Sequence, residues 1–277
     1  MKKITSRDNP TFKQLRVLAG SSRERRSQRR TLLDGMHLAE SYVACHGAPE
    51  LLVVSEGGTR DGEITRFVDR CPQVPVVQLA DALFGEVSPV STPTGILAVI
   101  QIPAAGISKT RDGSCVLLDA IQDAGNLGSI LRSAAAAGVS DAHLGSGCAQ
   151  AWSPRVLRAA MGAHFSLNIN EHADLAAVLR VFPGVSVSTS LRGNEELFAL
   201  DLTGPVAWLF GNEGAGLSPE LAALASHTAR IPMPGGTESL NVAAAAAVCL
   251  FEELRQKRAK SVRASIPLGK QPADLPK

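Results

Sequence analysis

The chain of 277 residues is long enough for one large domain or two of ordinary size, and its aromatic content of 4% leaves Ala, Leu and Val to build the core. No stretch approaches eighteen unbroken apolar residues and the first residues lack the apolar segment of a signal peptide, so we expect no membrane span and a cytoplasmic location. The net charge of +2 excludes a uniformly basic or acidic chain, and five cysteines without a C-x-x-C pair predict a reduced protein with no metal site.

The two ends of the chain are basic and its middle is acidic. Residues 1–30 carry ten Lys or Arg side chains against two acidic ones, and residues 255–277 carry seven against one. The residues between them carry a net charge of −12. Basic ends on an acidic body suggest arms that bind phosphate, although solvated tails would have the same composition.

The first hundred residues predict a small α/β unit. Strands are expected at 50–55, 74–79 and 95–102, and helices at 11–19, 23–46 and 64–71. Alternation of strand and helix indicates a unit with its own sheet. The polar, glycine-flanked stretch that follows predicts a linker, which we place at residues 106–113.

The second half repeats the strand-then-helix order more strongly. Strands are expected at 114–119, 141–144, 165–169, 185–189, 205–210 and 228–231. Helices are expected from an N-cap at Asn126 to Gly138, at 154–161, 175–181 and 219–225, and in the alanine-rich run 242–251. Apolar strands joined by helices predict a mostly parallel sheet covered on both faces, and the alanine-rich run predicts a buried helix.

Three polar, glycine-bearing loops each follow a predicted strand, at 120–126, 211–218 and 232–241. Ligands bind beyond the carboxyl ends of such strands, so we expect the loops to converge. None has the Walker or G-x-G-x-x-G order, and Glu213 would repel a phosphate, which favours a neutral or cationic ligand. A nicotinamide oxidoreductase remains an alternative that the missing G-x-G-x-x-G weakens.

Two polar groups have two interpretations each. The Ser239-Leu240-Asn241 segment at the start of the last helix can cap that helix or contact a ligand. Arg132, on a helix face with Ser129 and Ser133, can be a surface ion-pair partner or can bind a substrate phosphate bidentately.

Three motifs in this half resemble a known family. They are Asn126-Leu-Gly128-Ser-Ile-Leu-Arg132-Ser-Ala134, then Leu209-Phe-Gly211-Asn-Glu213-Gly-Ala-Gly216-Leu217-Ser218, then Ile231-Pro-Met233 with Ser239-Leu-Asn241-Val242. Together and in this order they resemble the motifs of the SpoU (TrmH-type) RNA ribose 2′-O-methyltransferases of the SPOUT superfamily. The resemblance covers residues 114–256 strongly. Residues 31–102 are more weakly similar to the family's ribosomal-protein-like substrate-binding domain.

The sequence departs from the family pattern at a few positions. Ala124 stands where the family usually has Pro, Ala160 stands where Ser is common, and Asp34-Gly35 replaces the usual Glu-Gly. These changes leave the residues of the three motifs intact.

The resemblance implies an α/β fold: a mostly parallel, trefoil-knotted sheet with helices on both faces, plus a smaller N-terminal ribosomal-protein-like α/β domain. It implies a basic N-terminal arm and RNA substrate-binding domain over 1–105, the linker, a methyltransferase domain over 114–258 and a basic tail over 259–277. It further implies a homodimer. The implied activity is S-adenosylmethionine-dependent methylation of a ribose 2′-hydroxyl in structured RNA, ribosomal RNA before transfer RNA. A catalytically silent RNA-binding homologue is the other alternative.

The site residues follow from the resemblance, position by position. The implied catalytic residues are Asn126, Arg132, Glu213, Ser239 and Asn241. The implied cofactor-binding residues are Leu209, Gly211, Asn212, Glu213, Gly214, Ile231, Met233, Ser239, Leu240 and Asn241. The family proposal makes Arg132 the base, but arginine stays protonated in proteins, so it can instead hold a phosphate or stabilise the developing alkoxide.

Overall fold

The computed structural model describes residues 1–104 and 113–265. Nearly all of the expected linker 106–113 and the end of the expected basic tail, from residue 266, lie outside the described residues. The described chain forms two sheets, one in each part.

The N-terminal part is a mixed sheet with helices around it. Its strands are β1 (Lys2–Ile4), β2 (Arg30–Asp34), β3 (Leu51–Ser55), β4 (Val76–Leu79) and β5 (Ile96–Gln101). Its helices are α1 (Pro10–Gly20), α2 (Ser22–Gln28), α3 (Met36–His46), α4 (Gly62–Asp69) and α5 (Asp81–Val87). The strand order is β1-β4-β3-β5-β2, in which β5 runs antiparallel to both of its neighbours.

The helix predicted over 23–46 is wrong, because β2 interrupts it. Arg29 takes a left-handed conformation (φ 52°) that ends α2, and the next five residues pair with β5. Leu32 and Leu33 are both fully buried, but in different apolar clusters on opposite faces of the strand. A strand buried on both faces is continuously apolar, and its sequence is easily mistaken for one stripe of a helix.

Residues 1–30 do not form a free arm, which corrects the expectation from their charge. β1 pairs in parallel with β4, and α1 buries Phe12, Leu15 and Leu18 against the sheet. The basic side chains project from a folded surface instead, since apolar residues are interleaved with them at helical spacing.

The C-terminal part is a seven-stranded sheet in which every pairing is parallel. Its strands are β6 (Cys115–Leu118), β7 (Asp141–Leu144), β8 (Asn168–Glu171), β9 (Val185–Thr189), β10 (Glu195–Glu196), β11 (Val206–Phe210) and β12 (His227–Arg230). Its helices are α6 (Ala124–Ala136), α7 (Pro154–Ala160), α8 (Leu175–Val181), α9 (Pro219–Leu224) and α10 (Val242–Ser265). The strand order is β10-β12-β9-β11-β6-β7-β8.

Helices cover both faces of this sheet, as predicted. Trp208 and Phe210 of β11 join the cluster that contains α6, α7 and α10, whereas Ala207 and Leu209 join a cluster with α8 and α9. The α6 and α7 helices pack closely at Gly128, where an added Cβ would lie 2.4 Å from the Ala159 Cβ. The α/β class with a mostly parallel sheet is confirmed.

Three further differences separate the predicted elements from the structure. The strand expected at 165–169 begins later, at Asn168, after a 3₁₀ turn. The α6 helix is capped by Asp123 and not by Asn126. The α10 helix is buried on one face only, because Ala244 and Phe251 are exposed in this chain.

The two parts share one apolar core. Leu33 and Leu38 of the N-terminal part belong to the same buried cluster as Val156 and Leu157 of α7. The Thr31 hydroxyl donates to the Trp152 carbonyl at 2.7 Å. The two sheets are therefore held together by this shared apolar cluster and hydrogen bond, and not only by the continuity of the chain.

A buried acid also joins the two parts. The Asp34 carboxylate accepts a hydrogen bond from the Ser88 hydroxyl at 2.5 Å and pairs with the Arg158 guanidinium at 3.4 Å. Burial raises the pKa of Asp34, while Ser88 and Arg158 oppose that rise.

Within residues 1–104 and 113–265, no helix is long and apolar enough to cross a membrane.

A candidate active site at the carboxyl edge of the sheet

Side chains from the three predicted loops meet at the carboxyl edge of the parallel sheet. The Asn126 amide donates to the Glu213 Oε1 atom at 2.5 Å, and the Asn241 amide donates to the same oxygen at 2.9 Å. The Asn241 amide also lies 3.0 Å from the Asn126 Oδ1 atom. The expected convergence of the loops is therefore confirmed.

Local capping places these side chains. The Asp123 carboxylate caps α6 by accepting from the Asn126 N–H at 2.8 Å, so Asn126 lies in the first turn with its amide group directed outward. The Asn241 Oδ1 atom caps α10 by accepting from the N–H groups of Ala243 and Ala244. The capping interpretation of Asn241 is confirmed, and its amide nitrogen contacts Glu213, so the contact with a ligand stays a prediction.

The loop after β11 is locked to the loop after β6. The Asn212 Oδ1 atom accepts from the N–H groups of Gly214 and Ala215, and its amide donates to the Ala120 carbonyl at 3.0 Å. The Asp119 carboxylate accepts from the Ser218 N–H at 2.8 Å. The Asn212 side chain thus holds the two loops together, and the second N–H of its amide is left over after the bond to Ala120.

Three residues of this arrangement are not among the predicted site residues. Asp119 accepts a hydrogen bond from the Ser218 N–H, and Asp123 accepts one from the Asn126 N–H. The sequence feature that indicates them is an acidic residue at each end of a polar turn. Ala120 adopts a left-handed conformation (φ 54°), which nothing in the sequence indicates. That conformation is uncommon for alanine and persists here with its carbonyl held by Asn212.

A cavity of about 300 Å³ opens beside the three joined side chains. Its walls are Ile121, Gln122, Asp123, Asn126, Asn212, Glu213, Gly214 and Val242. Two carboxylates and no basic side chain line it, so a neutral or cationic ligand fits better than a phosphate.

Gly211 fixes the shape of the loop beside this cavity. A Cβ atom at Gly211 would lie 2.4 Å from the Gly216 carbonyl carbon and 2.4 Å from the Leu217 nitrogen. The loop closes through paired backbone hydrogen bonds between Asn212 and Gly216. Only glycine therefore permits this close approach of backbone to backbone.

The structure does not join every predicted site residue to the cluster. Arg132 is exposed and forms no side-chain hydrogen bond or ion pair with the described residues, which removes its interpretation as a surface ion-pair partner. Ser239 is exposed as well, and its hydroxyl has no hydrogen-bond partner among the described residues. Both side chains are free to contact a bound molecule.

The predicted cofactor residues differ in exposure. Leu209 is fully buried in β11, whereas Ile231 and Met233 are half-buried and Leu240 is 39% exposed. The backbone N–H groups of Ile231 and Leu240 have no hydrogen-bond partner within the described part of the chain. Those backbone groups are available to a ligand.

Other reactive side chains lie away from this site or are held inactive. Burial raises the pKa of the Cys115 thiol and of the Cys249 thiol to about 12 each. Burial lowers the pKa of His164 to about 4. No group of three His, Cys, Asp or Glu side chains in residues 1–104 and 113–265 is arranged to hold a metal ion.

Comparison with known proteins places both parts of the chain. The model of the SpoU rRNA methylase family matches residues 113–251, and that of the MRM3-like substrate binding domain matches residues 9–98. The Bacillus subtilis (strain 168) 23S rRNA (guanosine(2553)-2′-O)-methyltransferase RlmP is 32% identical over 257 residues, covering 91% of this chain and 98% of that protein.

Two similarities concern proteins of Streptomyces viridochromogenes. Its 23S rRNA (uridine(2479)-2′-O)-methyltransferase is 31% identical over 268 residues, which cover 92% of this chain and 93% of that protein. The crystal structure of its SpoU methyltransferase AviRb in complex with the cofactor AdoMet aligns with a TM-score of 0.79 at 28% identity. That alignment covers 91% of this chain and all of the other.

Proposed function

The chain belongs to the SpoU rRNA methylase family, and from this membership we propose that it transfers a methyl group from S-adenosylmethionine to a ribose 2′-hydroxyl of ribosomal RNA. The observation that carries the proposal is the contact of Asn126, Glu213 and Asn241, which unites the three motif loops in one site. Ribosomal RNA is favoured over transfer RNA because both relatives described above are named for 23S rRNA. The cytoplasmic location expected from the sequence belongs to the same proposal.

The residues around the cavity fit S-adenosylmethionine. The Glu213 carboxylate suits a sulfonium cation, and free backbone N–H groups at Ile231 and Leu240 suit a polar adenosine or carboxylate group. We propose that the predicted cofactor residues hold it, with Gly211 and Gly214 shaping the loop and Asn212 bracing it. When bound, S-adenosylmethionine supplies the methyl group that the ribose oxygen attacks.

The chain's own residues then position the ribose and manage its proton. Asn126 and Asn241 fix the Glu213 carboxylate, and the free Ser239 hydroxyl can complete that cluster around the ligand. Arg132 is exposed on the α6 helix that begins at this cluster. A permanently charged guanidinium is better suited to hold the neighbouring phosphate, or to stabilise the developing alkoxide, than to accept the hydroxyl proton.

We extend the proposal to the organisation of the chain. Residues 1–105 act as the RNA substrate-binding domain and residues 114–258 as the methyltransferase domain, with the linker and basic tail assigned from sequence. The match of residues 9–98 to a substrate-binding domain supports the first assignment. The trefoil knot is proposed from the membership of the family, and the strand order, in which β11 lies between β6 and β9, is compatible with it.

A homodimer is supported by the exposed face of α10. Ala244 and Phe251 are exposed and Ala247 and Val248 are half-buried, so small and apolar side chains form a stripe at helical spacing. Leu240, 39% exposed, extends this stripe toward the site. A second copy packed on the stripe would cover it and would bring two sites close together.

Replacing Phe251 by glutamate should convert the dimer to a monomer. The change places two charges in the proposed apolar interface, one from each copy. It also removes the free energy of association that comes from burying each phenylalanine, roughly 1.5–3 kcal/mol. Sedimentation or light scattering gives the mass. Val181→Glu is the matched control, because Val181 is 81% exposed at the end of α8, which covers the other face of the sheet. A Phe251→Glu variant that stays dimeric would show that the interface lies elsewhere.

Transfer of labelled methyl groups to purified RNA tests the function. The protein is incubated with labelled S-adenosylmethionine and either ribosomal or transfer RNA, and the product is digested to nucleosides. We expect 2′-O-methyl nucleosides from ribosomal RNA. Label only in transfer RNA would reassign the substrate, and S-adenosylmethionine binding without transfer to either RNA would favour a silent RNA-binding homologue.

A further inference from the structure

The α2 helix lies against the carboxyl ends of β7 and β8. The Arg25 Nε atom donates to the Gln150 Oε1 atom at 2.7 Å, and Gln150 belongs to the loop that follows β7. The Arg26 guanidinium lies 2.9 Å from the Nε2 atom of His172, the residue directly after β8. This N-terminal helix is therefore docked on the same sheet edge as the candidate site.

Contacts between neighbouring loops connect α2 to the site. Leu118 of β6, Leu144 of β7 and Glu171 of β8 are in register, so these parallel strands end at one level. The Ala149 N–H donates to the carbonyl of Ile121, which lines the site cavity, and the next residue, Gln150, binds α2. Two strand spacings, about 10 Å, separate β6 from β8 along this edge.

The arginines of α2 and of its C-terminal cap, Arg29, have two different environments. Arg25 is 4% exposed, and its guanidinium also donates to the carbonyls of Leu18 and Ala19, so its charge is used inside the fold. Arg23, Arg26 and Arg29 are exposed. We call these three the arginine trio.

The arginine trio differs from most basic residues near it. Lys3, Arg7, Lys13 and Arg30 each form a salt bridge with a carboxylate. No member of the trio forms a salt bridge within the described residues. Burial raises the pKa of the half-buried Glu171 carboxyl, and Arg26 is one of the nearby charges that oppose this rise. Arg29 donates to the Ile102 carbonyl at 3.4 Å and Arg26 contacts His172, but each guanidinium has five N–H donors, so donors are left to bind phosphate.

We propose that the arginine trio is a phosphate-binding ledge that holds the RNA backbone beside the reacting ribose. This inference rests on the proposed function for the identity of the RNA. It goes beyond that function by assigning contacts with the RNA backbone to three residues. The buried Arg25 fixes the helix to the catalytic part, so the distance from ledge to site is set by the fold. The ledge replaces the free arm that the charge of residues 1–30 predicts.

Salt dependence of RNA binding tests the ledge. Arg23, Arg26 and Arg29 are changed together to glutamine, and the control changes Lys2, Arg60 and Arg66, which are exposed and form no salt bridge among the described residues. The probe is a fluorescent RNA hairpin, titrated at several salt concentrations. Each lost phosphate contact should reduce the slope of log K against log salt by about 0.7–0.9, so the trio variant should lose about 2–3.

Several readouts separate the possible outcomes. We expect the trio variant to bind S-adenosylmethionine as the parent does, to bind the hairpin about 10²-fold more weakly at about 0.1 M salt and to show a raised KM for ribosomal RNA. A slope equal to the parent's, or an equal loss in the control variant, would overturn the ledge. A parent that binds RNA with the expected slope but transfers no methyl group would leave the ledge standing and remove the proposed function.

Discussion

Replacing Arg132 by alanine should lower the rate of methyl transfer by about 10²–10⁴-fold and leave S-adenosylmethionine affinity within a few-fold. Arg132 is exposed and makes no side-chain hydrogen bond or ion pair with the described residues, so the fold loses little when it is truncated. The expected loss comes from the charge that faces the developing alkoxide or the adjacent phosphate. Single-turnover rates with saturating cofactor and RNA measure it.

Two further variants sharpen this test. Arg155→Ala is the control, since Arg155 is exposed and has no salt bridge within the described chain. Arg132→Lys separates the possible roles, because lysine releases a proton more readily than arginine but lacks its bidentate geometry. We expect the lysine variant to lose most activity with an unchanged pH dependence. Full activity in Arg132→Ala would remove this residue from the mechanism, and a faster lysine variant at high pH would restore it as the base.

Replacing Gly211 by alanine should weaken S-adenosylmethionine binding by more than tenfold. The added Cβ meets the backbone of Gly216 and Leu217 at 2.4 Å, and backbone in a hydrogen-bonded loop cannot move aside as a flexible side chain can. A distorted loop would displace Glu213 from Asn126 and Asn241. Calorimetry measures the affinity, and tenfold corresponds to about 1.4 kcal/mol.

The matched control for Gly211 is Gly204, which lies just before β11, at the opposite end of that strand. A Cβ at Gly204 would have no heavy atom within 4 Å, so Gly204→Ala should bind within a few-fold of the parent. Circular dichroism and thermal unfolding check that both variants fold. A folded Gly211→Ala variant with unchanged affinity would place the cofactor elsewhere.

Most of the parallel sheet could be predicted because its strands are apolar on both faces and its turns carry strong breakers. The strands at 141–144 and 185–189 have the predicted bounds. The same apolar continuity explains why the helix predicted over 23–46 is wrong, since that range contains Leu32 and Leu33 of β2. Their strand character depends on pairing with β5, which is distant in sequence.

The site could be predicted as three converging loops but not as a set of contacts. The three motifs contain Asn126, Glu213 and Asn241, and hydrogen bonds join these side chains in the structure. The bracing by Asp119 and the left-handed Ala120 depend on the folded backbone, which sequence spacing does not encode. Likewise, the sequence shows the charge of residues 1–30. It does not show that Arg25 is buried while Arg23, Arg26 and Arg29 are exposed.

Mass-spectrometric mapping of ribose methylation in cells with and without the gene tests the central claim most directly. We predict that one ribosomal RNA position loses its 2′-O-methyl group in the deletion strain, regains it with the parent gene and fails to regain it with the Arg132→Ala variant. Unchanged ribosomal RNA methylation in the deletion strain would contradict the account, and so would restoration by the Arg132→Ala variant.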